Sequence, residues 1–293
     1  MTFNNLITVS QTFAPWIKLA PGRDGTRRAG ATVVFPHAGA AAASYRTLAT
    51  ALAAGGDTYI LQYPQRAERL REPAPETVHE LALGLFEAGA WSRVAPLRLF
   101  GHSMGAVVAF EFARIAESRD TAVQRLWVSA GPAPCAVAGM PELPTSDDGL
   151  LADIADLGGT DPDLLADHEF AELITTAVRA DYRAINRYDC APGIRIRADI
   201  CVLGARDDHR VDAAALRLWK QHTAGAALLL AGNVQAVIHA VDEVYVGMPS
   251  GPEEHRVSRR PPAESMGGSV SLAKVGFHFD DTAHPSVATA GPN

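Results

Sequence analysis

The sequence predicts an α/β fold with a mostly parallel central sheet, helices on both faces and a helical lid insertion. Short apolar segments alternate with segments of helical spacing, a pattern typical of parallel strands joined by helices. At residues 97–110 an apolar run enters Gly-His-Ser-Met-Gly and a second apolar run leaves it, which predicts a strand, a sharp turn and a helix. Residues 133–194 lose the strand pattern and carry amphipathic helical segments, which predicts the lid.

The composition is that of a globular protein and excludes some functions. The 293 residues are 47% hydrophobic, and the formal net charge of -7 argues against nucleic-acid binding. The N-terminus lacks the pattern of a signal peptide, and no apolar stretch reaches the ~20 residues of a membrane span. Cys135, Cys190 and Cys201 are widely spaced, without a metal-binding pattern. We therefore expect a reduced, cytoplasmic protein without a metal.

The first candidate site residues follow a lead-in formed by residues 1–30. Within the lead-in, residues 16–19 predict a short edge strand, and residues 31–35 then predict a buried strand that enters a loop of small residues. Small residues at the carboxyl end of a strand let backbone N–H groups approach a ligand closely. We expect Ala38 to donate its N–H to an oxyanion, and His37 beside it to make a structural hydrogen bond.

The motif at residues 101–105 supplies the candidate nucleophile. It follows a predicted strand at 58–63 and a predicted helix at about 76–88. A glycine two positions either side of Ser103 lets the backbone turn tightly enough to present the serine hydroxyl above the sheet. The N–H of the next residue, Met104, is the expected second oxyanion donor.

The predicted lid, residues 133–194, follows a strand at 125–129. It carries helical patterns at 147–154, at 168–174 and around 179–183. Inserted between two strands, these helices are expected to cover the nucleophile, although an insertion that only packs against the domain is an open alternative. Three arginines are expected on a solvated face: Arg179, Arg183 and Arg187.

A later strand at residues 198–204 ends shortly before two carboxylates. When the serine of a triad comes first in the chain, its acid follows a later strand and its histidine comes last. Asp207 is therefore the expected acid, with Asp208 in reserve, because only one carboxylate can face the histidine. A final strand is expected at residues 227–231.

Taken together, these motifs resemble those of the type II thioesterases of the α/β-hydrolase superfamily, the editing enzymes of nonribosomal peptide and polyketide synthases. The resemblance covers roughly residues 31–233. It includes residues 35–39, Tyr63-Pro64 with Arg66 and Arg69, residues 101–105, residues 179–183, Gly204 with Asp207, and Trp219 with Thr223. It implies hydrolysis of acyl thioesters from the phosphopantetheine arm of an acyl- or peptidyl-carrier protein, without a metal or redox cofactor. We expect a monomer.

The histidine of the triad is where the sequence departs from this family. Residues 234–236 read Val-Gln-Ala where the family carries a histidine and an aromatic residue. His239 follows the last predicted strand closely and is the first candidate for the base. His278 lies within Gly-Phe-His-Phe, a better local match, but far downstream. The other histidines considered are His102, which is tied to the turn, His209, on the loop of the acid, and His222, which precedes the last strand.

The sequence change near Val234 also bounds the domain. Residues 31–246 are expected to form the catalytic domain, whereas residues 247–293 contain six Pro, six Gly and six Ser and predict a disordered tail outside the family. A shift of reading frame near Val234 would explain this change, and resequencing the gene there tests it. Two other functions stay open: an impaired carrier-protein-binding remnant without the triad histidine, and a general carboxylesterase or lipase.

Overall fold

The structure is a computed structural model that describes residues 13–22, 30–158, 160, 162–205, 208 and 210–232. The strands within these residues are β1 Lys18–Ala20, β2 Ala31–Phe35, β3 Thr58–Ile60, β4 Leu97–His102, β5 Val123–Ser129, β6 Asp199–Ala205 and β7 Ala227–Gly232. The α-helices are α1 Arg46–Leu52, α2 Val78–Glu87, α3 Met104–Ser118, α4 Asp147–Leu157, α5 Pro162–Ala166, α6 His168–Asn186 and α7 Ala213–Arg217.

The described strands form one sheet in the order β1-β3-β2-β4-β5-β6-β7. All neighbours are parallel except β1, which pairs with β3 in the antiparallel direction at one edge. The chain runs from β2 outward to β3 and returns to β4 on the other side of β2, so the winding direction reverses between β2 and β4. Parallel sheets bind ligands at the carboxyl ends of the strands at such a reversal.

Both faces of the sheet are covered, as the α/β prediction requires. Along β2 the side chains of Val33 and Phe35 pack in the larger core, against α2 and α3, while Val34 packs in a second core with α1. This alternation follows from the two-residue period of a strand. The predicted fold class is confirmed.

Several elements differ from their predicted bounds, and the differences at β3, α2 and α6 are the most informative. Strand β3 ends at Ile60 rather than at residue 63. Beyond this point the carbonyl of Gln62 accepts a hydrogen bond from the guanidinium of Arg69 (2.7 Å). Helix α2 begins at Val78, where the Thr77 hydroxyl and the Glu80 carboxylate form a capping box. The predicted helices at 168–174 and 179–183 are one continuous helix, α6.

The insertion between β5 and β6 is helical, as predicted, and contains α4, α5 and α6. It has a small apolar core of its own, formed by Leu150, Ile154, Val178 and Tyr182, and Ala38 of the main domain packs against this core. The lid helices therefore rest on the loop that follows β2. No helix within the described part of the chain has the length and apolarity needed to cross a membrane.

Candidate active site

Ser103 lies between β4 and α3 in a strained backbone conformation. Its φ of 53° and ψ of -122° are unfavourable for any residue with a side chain, at a cost of about 1–3 kcal/mol. Its N–H donates to the carbonyl of Ser129 on β5 (2.8 Å), and its own carbonyl accepts the N–H of Ala106 (2.9 Å). These bonds hold the predicted sharp turn, and Ser103 stands half-buried at the carboxyl edge of the sheet.

The two glycines of the motif are required by close packing of backbone on backbone. A Cβ atom at Gly101 would lie 2.3 Å from the carbonyl oxygen of Gly105, and one at Gly105 would lie 2.1 Å from that of Phe35. The first turn of α3 can therefore lie directly on the ends of β2 and β4 only when both positions lack a side chain.

The loop after β2 lies beside this turn. Phe35 pairs with Gly101 in the parallel register, so the chain leaves β2 and β4 at the same level of the sheet. Met104 is the first residue of α3, where an N–H has no acceptor inside the helix. Ala38 is half-buried in the loop. The structure thus brings Ser103 and the two predicted oxyanion donors to one edge of the sheet.

His37 and His102 lie next to each other near the turn, and both are engaged in other contacts. The Nδ1 atom of His37 lies 2.6 Å from the Tyr45 hydroxyl, which confirms the predicted structural hydrogen bond, and that of His102 lies 3.1 Å from the Ser129 hydroxyl. Burial, and secondarily the nearby His37, lowers the pKa of His102 to about 3. Burial also lowers the pKa of His37. Both imidazoles are therefore neutral at neutral pH.

His222 is part of the core and is not available as a base. Its Nδ1 atom donates to the carbonyl of Ile194 (2.8 Å), and its Nε2 atom accepts the backbone N–H of Cys135 (3.2 Å). The ring packs edge-on against Phe110 and Trp219, and the residue is fully buried. With both nitrogens engaged, His222 has a structural role.

The candidate acid Asp207 and the two favoured candidate bases, His239 and His278, lie outside the described residues, as does His209. The reserve acid Asp208 is described, and its Oδ1 atom accepts the backbone N–H groups of Arg210 (2.8 Å) and Val211 (3.1 Å). Asp208 therefore caps the turn that leads to α7. Within the described part of the chain, no three His, Cys, Asp or Glu side chains are arranged to hold a metal ion.

Ion pairs of two arginines connect the lid helices, and one of them corrects the prediction that Arg179 lies on a solvated face. Arg179 is not on a solvated face: its guanidinium donates to the carbonyl of Thr145 (2.9 Å) and pairs with Asp147 at the first turn of α4. Arg210, in the turn after β6, pairs with Asp153 and Asp156 on α4, each at 2.9 Å. The lid helices are thus tied to each other and to the loop after β6.

Two features near the site are missing from the sequence predictions. Arg66, in the loop after β3, forms a buried two-pronged ion pair with Asp181 on α6, with both N–O distances at 2.8 Å. Gly131 follows β5, and a Cβ atom there would lie 2.8 Å from the carbonyl oxygen of Ser103. Arg66 and Asp181 both lie in segments that carry the family resemblance, and this resemblance is the signal that could have linked them.

Several known proteins are similar to this chain over most of its length. A family model described as a thioesterase domain matches residues 32–231, more than half of the chain. The phenyloxazoline synthase MbtB of Mycobacterium tuberculosis is 54% identical over 214 residues, which are 73% of this chain. The chain spans only 15% of that synthase's length.

Shorter relatives are matched over most of their own length. The thioesterase PikA5 of Streptomyces venezuelae is 34% identical over 201 residues, which cover 68% of this chain and 72% of the relative. The solved structure of the type II thioesterase BorB from the borrelidin biosynthetic cluster aligns with a TM-score of 0.67 and 34% identity, over 79% of this chain and 96% of its own.

Proposed function

Because the chain belongs to the thioesterase domain family, we propose that it hydrolyses acyl thioesters from the phosphopantetheine arm of an acyl- or peptidyl-carrier protein. The observation that carries the proposal is Ser103, held in a strained turn at the carboxyl edge of the sheet, where the chain changes its winding direction. Two relatives are named as thioesterases, one of them from a biosynthetic cluster, and these names support the choice of a thioester over a simple ester.

The proposed reaction is a two-step acyl transfer. The Ser103 Oγ atom attacks the thioester carbonyl, its proton passes to the triad histidine, and the C–S bond breaks as that proton reaches the departing sulfur. Water then loses a proton to the same histidine and attacks the acyl-enzyme, which releases the acid and returns the proton to Ser103. The N–H groups of Ala38 and Met104 stabilise the oxyanion formed in each step. No metal or redox cofactor is required by this chemistry.

We assign the remaining triad roles to residues outside the described part of the chain. Asp207 is the proposed acid, because Asp208 is engaged in capping the turn. His239 is the proposed base and His278 the alternative, since the nitrogens of His222 are engaged and His102 faces Ser129. We expect H239A to lower kcat at least a thousandfold and H278A to leave it unchanged. The reverse pattern would assign the base to His278.

The experiment that tests the function compares thioesters with esters. Hydrolysis of acyl-carrier proteins and of acyl N-acetylcysteamine thioesters is measured beside that of p-nitrophenyl esters, with S103A as the control. We expect thioesters to be preferred and S103A to lose at least a thousandfold in kcat, since the nucleophile is removed. A strong ester preference would indicate a carboxylesterase instead.

A fluorophosphonate probe separates an enzyme from a binding remnant. The probe forms a covalent bond with a serine that a base activates. We expect labelling of the full chain at Ser103 and none in S103A. A folded wild-type protein that is not labelled, and does not hydrolyse thioesters, would leave only the carrier-protein-binding role.

We also propose that the protein acts in the cytoplasm. Cys135, Cys190 and Cys201 are all free thiols, as expected in a reducing compartment.

A further inference from the structure

A buried ion pair lies beneath the loop that carries Ala38. Asp181 is on lid helix α6 and Arg66 is in the loop after β3, and each side chain is only 6% exposed. Both carboxylate oxygens of Asp181 accept from the guanidinium of Arg66, at 2.8 Å. Two charges removed from water in this way are strongly coupled, and each depends on the other for compensation.

The same carboxylate binds the loop backbone. The N–H of Gly39, directly after Ala38, donates to Asp181 Oδ2 at 2.8 Å. Gly39 has a φ of +78°, and a Cβ atom there would lie 2.4 Å from the Cγ2 atom of Val178, one turn before Asp181 on α6. Helix α6 thus meets the peptide next to Ala38 through one polar and one steric contact.

Arg66 is itself fixed, so it holds the carboxylate in one orientation. Its Nε atom donates to the carbonyl of Pro64 (3.0 Å), and its guanidinium carbon lies 5.4 Å from the ring centroid of the fully buried Tyr63. The chain of contacts therefore runs from Tyr63 and Arg66 through Asp181 to Gly39. None of these groups touches the reacting atoms.

We propose that Asp181 is a positioning residue, which, through the N–H of Gly39, fixes the peptide that directs the Ala38 N–H toward the oxyanion. The inference rests on the proposed function. A hydrogen-bond donor acts in catalysis only when it is aimed at the position of the charge in the transition state, and a small misplacement is costly. Asp181, on the lid helix α6, fixes the orientation of this donor.

The test compares two double variants that differ only in the acceptor for Gly39. R66Q/D181N removes both buried charges but keeps a side-chain oxygen at position 181, whereas R66Q/D181A removes that oxygen as well. We expect kcat for the best N-acetylcysteamine thioester to be about 10- to 100-fold lower in R66Q/D181A than in R66Q/D181N. The KM values of the two variants should agree within about threefold. Backbone amide exchange at residues 38–40 should be faster in R66Q/D181A alone.

The matched control is R179Q. It removes an ion pair from the same helix, but one that joins α6 to α4 and does not touch the loop. We expect its kcat and its exchange at residues 38–40 to equal those of the wild type. Should the double variants not fold, D181E keeps the charge opposite Arg66 and displaces the acceptor, and a kcat loss of about tenfold is expected.

The outcomes separate this inference from the proposed function. Equal kcat in the two double variants, or equal exchange at residues 38–40, would overturn the positioning role while leaving the thioesterase activity in place. A fall in kcat accompanied by an equal effect in R179Q would show a general loss of lid structure and also overturn it. A wild-type chain that hydrolyses no thioester would overturn the proposed function, and the exchange comparison would then decide whether Asp181 holds the loop.

Discussion

The nucleophile turn and the lid meet at one edge of the sheet but are held by different forces. Helix α3 buries 12 of its 15 residues, and its first turn touches β2 through backbone atoms. Helix α6 buries 7 of its 19 residues, and ion pairs between carboxylates and guanidiniums supplement its smaller apolar contact. Steric contacts are disrupted by substitutions that add volume, whereas exposed ion pairs are weakened by added salt. The two halves of the site should therefore fail under different perturbations.

The largest expected effect is on the turn, from G105A. The added Cβ atom would meet the carbonyl oxygens of Phe35 at 2.1 Å and Pro36 at 2.5 Å, and these backbone atoms cannot move without displacing β2. We expect the free energy of unfolding to fall by about 3 kcal/mol or more in urea titrations.

The control for G105A is G84A, in the middle of α2, where an added Cβ has no neighbour within 4 Å. There the higher helix propensity of alanine should raise the unfolding free energy by about 0.5–1 kcal/mol. Equal effects of the two substitutions would contradict the steric account of the turn.

The turn also has a titratable neighbour in His102, which gives it a pH dependence. Its pKa is about 3 in the folded protein and near 6.5 when unfolded, so the unfolded chain binds the extra proton between these values. The contribution of His102 to the free energy of unfolding is then complete above about pH 6.5. It decreases on acidification, by at most about 1.4 kcal/mol per pH unit. We expect H102Q to reduce this slope between pH 4 and 6 in urea titrations.

For H102Q the comparison variant is H79Q, which removes an exposed histidine from α2. A slope that H102Q leaves as steep as in the wild type would show that His102 does not cause it, and His37 would be the next group to replace.

A smaller effect is expected from the strain at Ser103. Glycine adopts positive φ without the steric cost that any side chain incurs, whereas alanine keeps that cost. We expect S103G to be more stable than S103A by about 1 kcal/mol, measured as a shift of the urea midpoint at constant m-value. Equal midpoints would mean that the turn stores no strain at this residue.

The smallest effect is expected on the lid, from R179Q. Its partner Asp147 is 80% exposed, so the lost ion pair should cost only about 0.5 kcal/mol in the unfolding free energy. The difference from the wild type should shrink further in 1 M salt, because the charges are then screened over about 3 Å. A cost above about 2 kcal/mol, or one that salt does not change, would show that the lid is held as rigidly as the turn.

The sequence was informative where the determinants are local. The strand, turn and helix around Ser103 follow from residues 97–110, because strain, glycine spacing and apolar periodicity all act within that segment. The continuity of α6 was missed because Thr175 and Thr176 interrupt its helical pattern. In the structure the Thr175 hydroxyl donates to the carbonyl of Ala171 within the helix (2.7 Å), so the interruption is accommodated.

The contacts that join the lid to the sheet could not be predicted in the same way. Arg66 and Asp181 are 115 positions apart, and nothing in either local pattern distinguishes a buried pair from two solvated side chains. For the same reason the sequence pattern alone places Arg179 on a solvated face. Only the packing of α6 over the loop after β2 decides which charged residue lies inside.

The burial pattern of α6 also bears on how the lid can vary in length. Its buried residues all lie between Thr175 and Ile185, and Asn186 exchanges two hydrogen bonds with the backbone of Leu143 (both 2.9 Å). The first turns, from His168 to Leu173, contain no fully buried residue and include the half-exposed Leu173. Changes in the length of α6 will therefore be tolerated upstream of residue 174 and will disrupt the lid downstream of it.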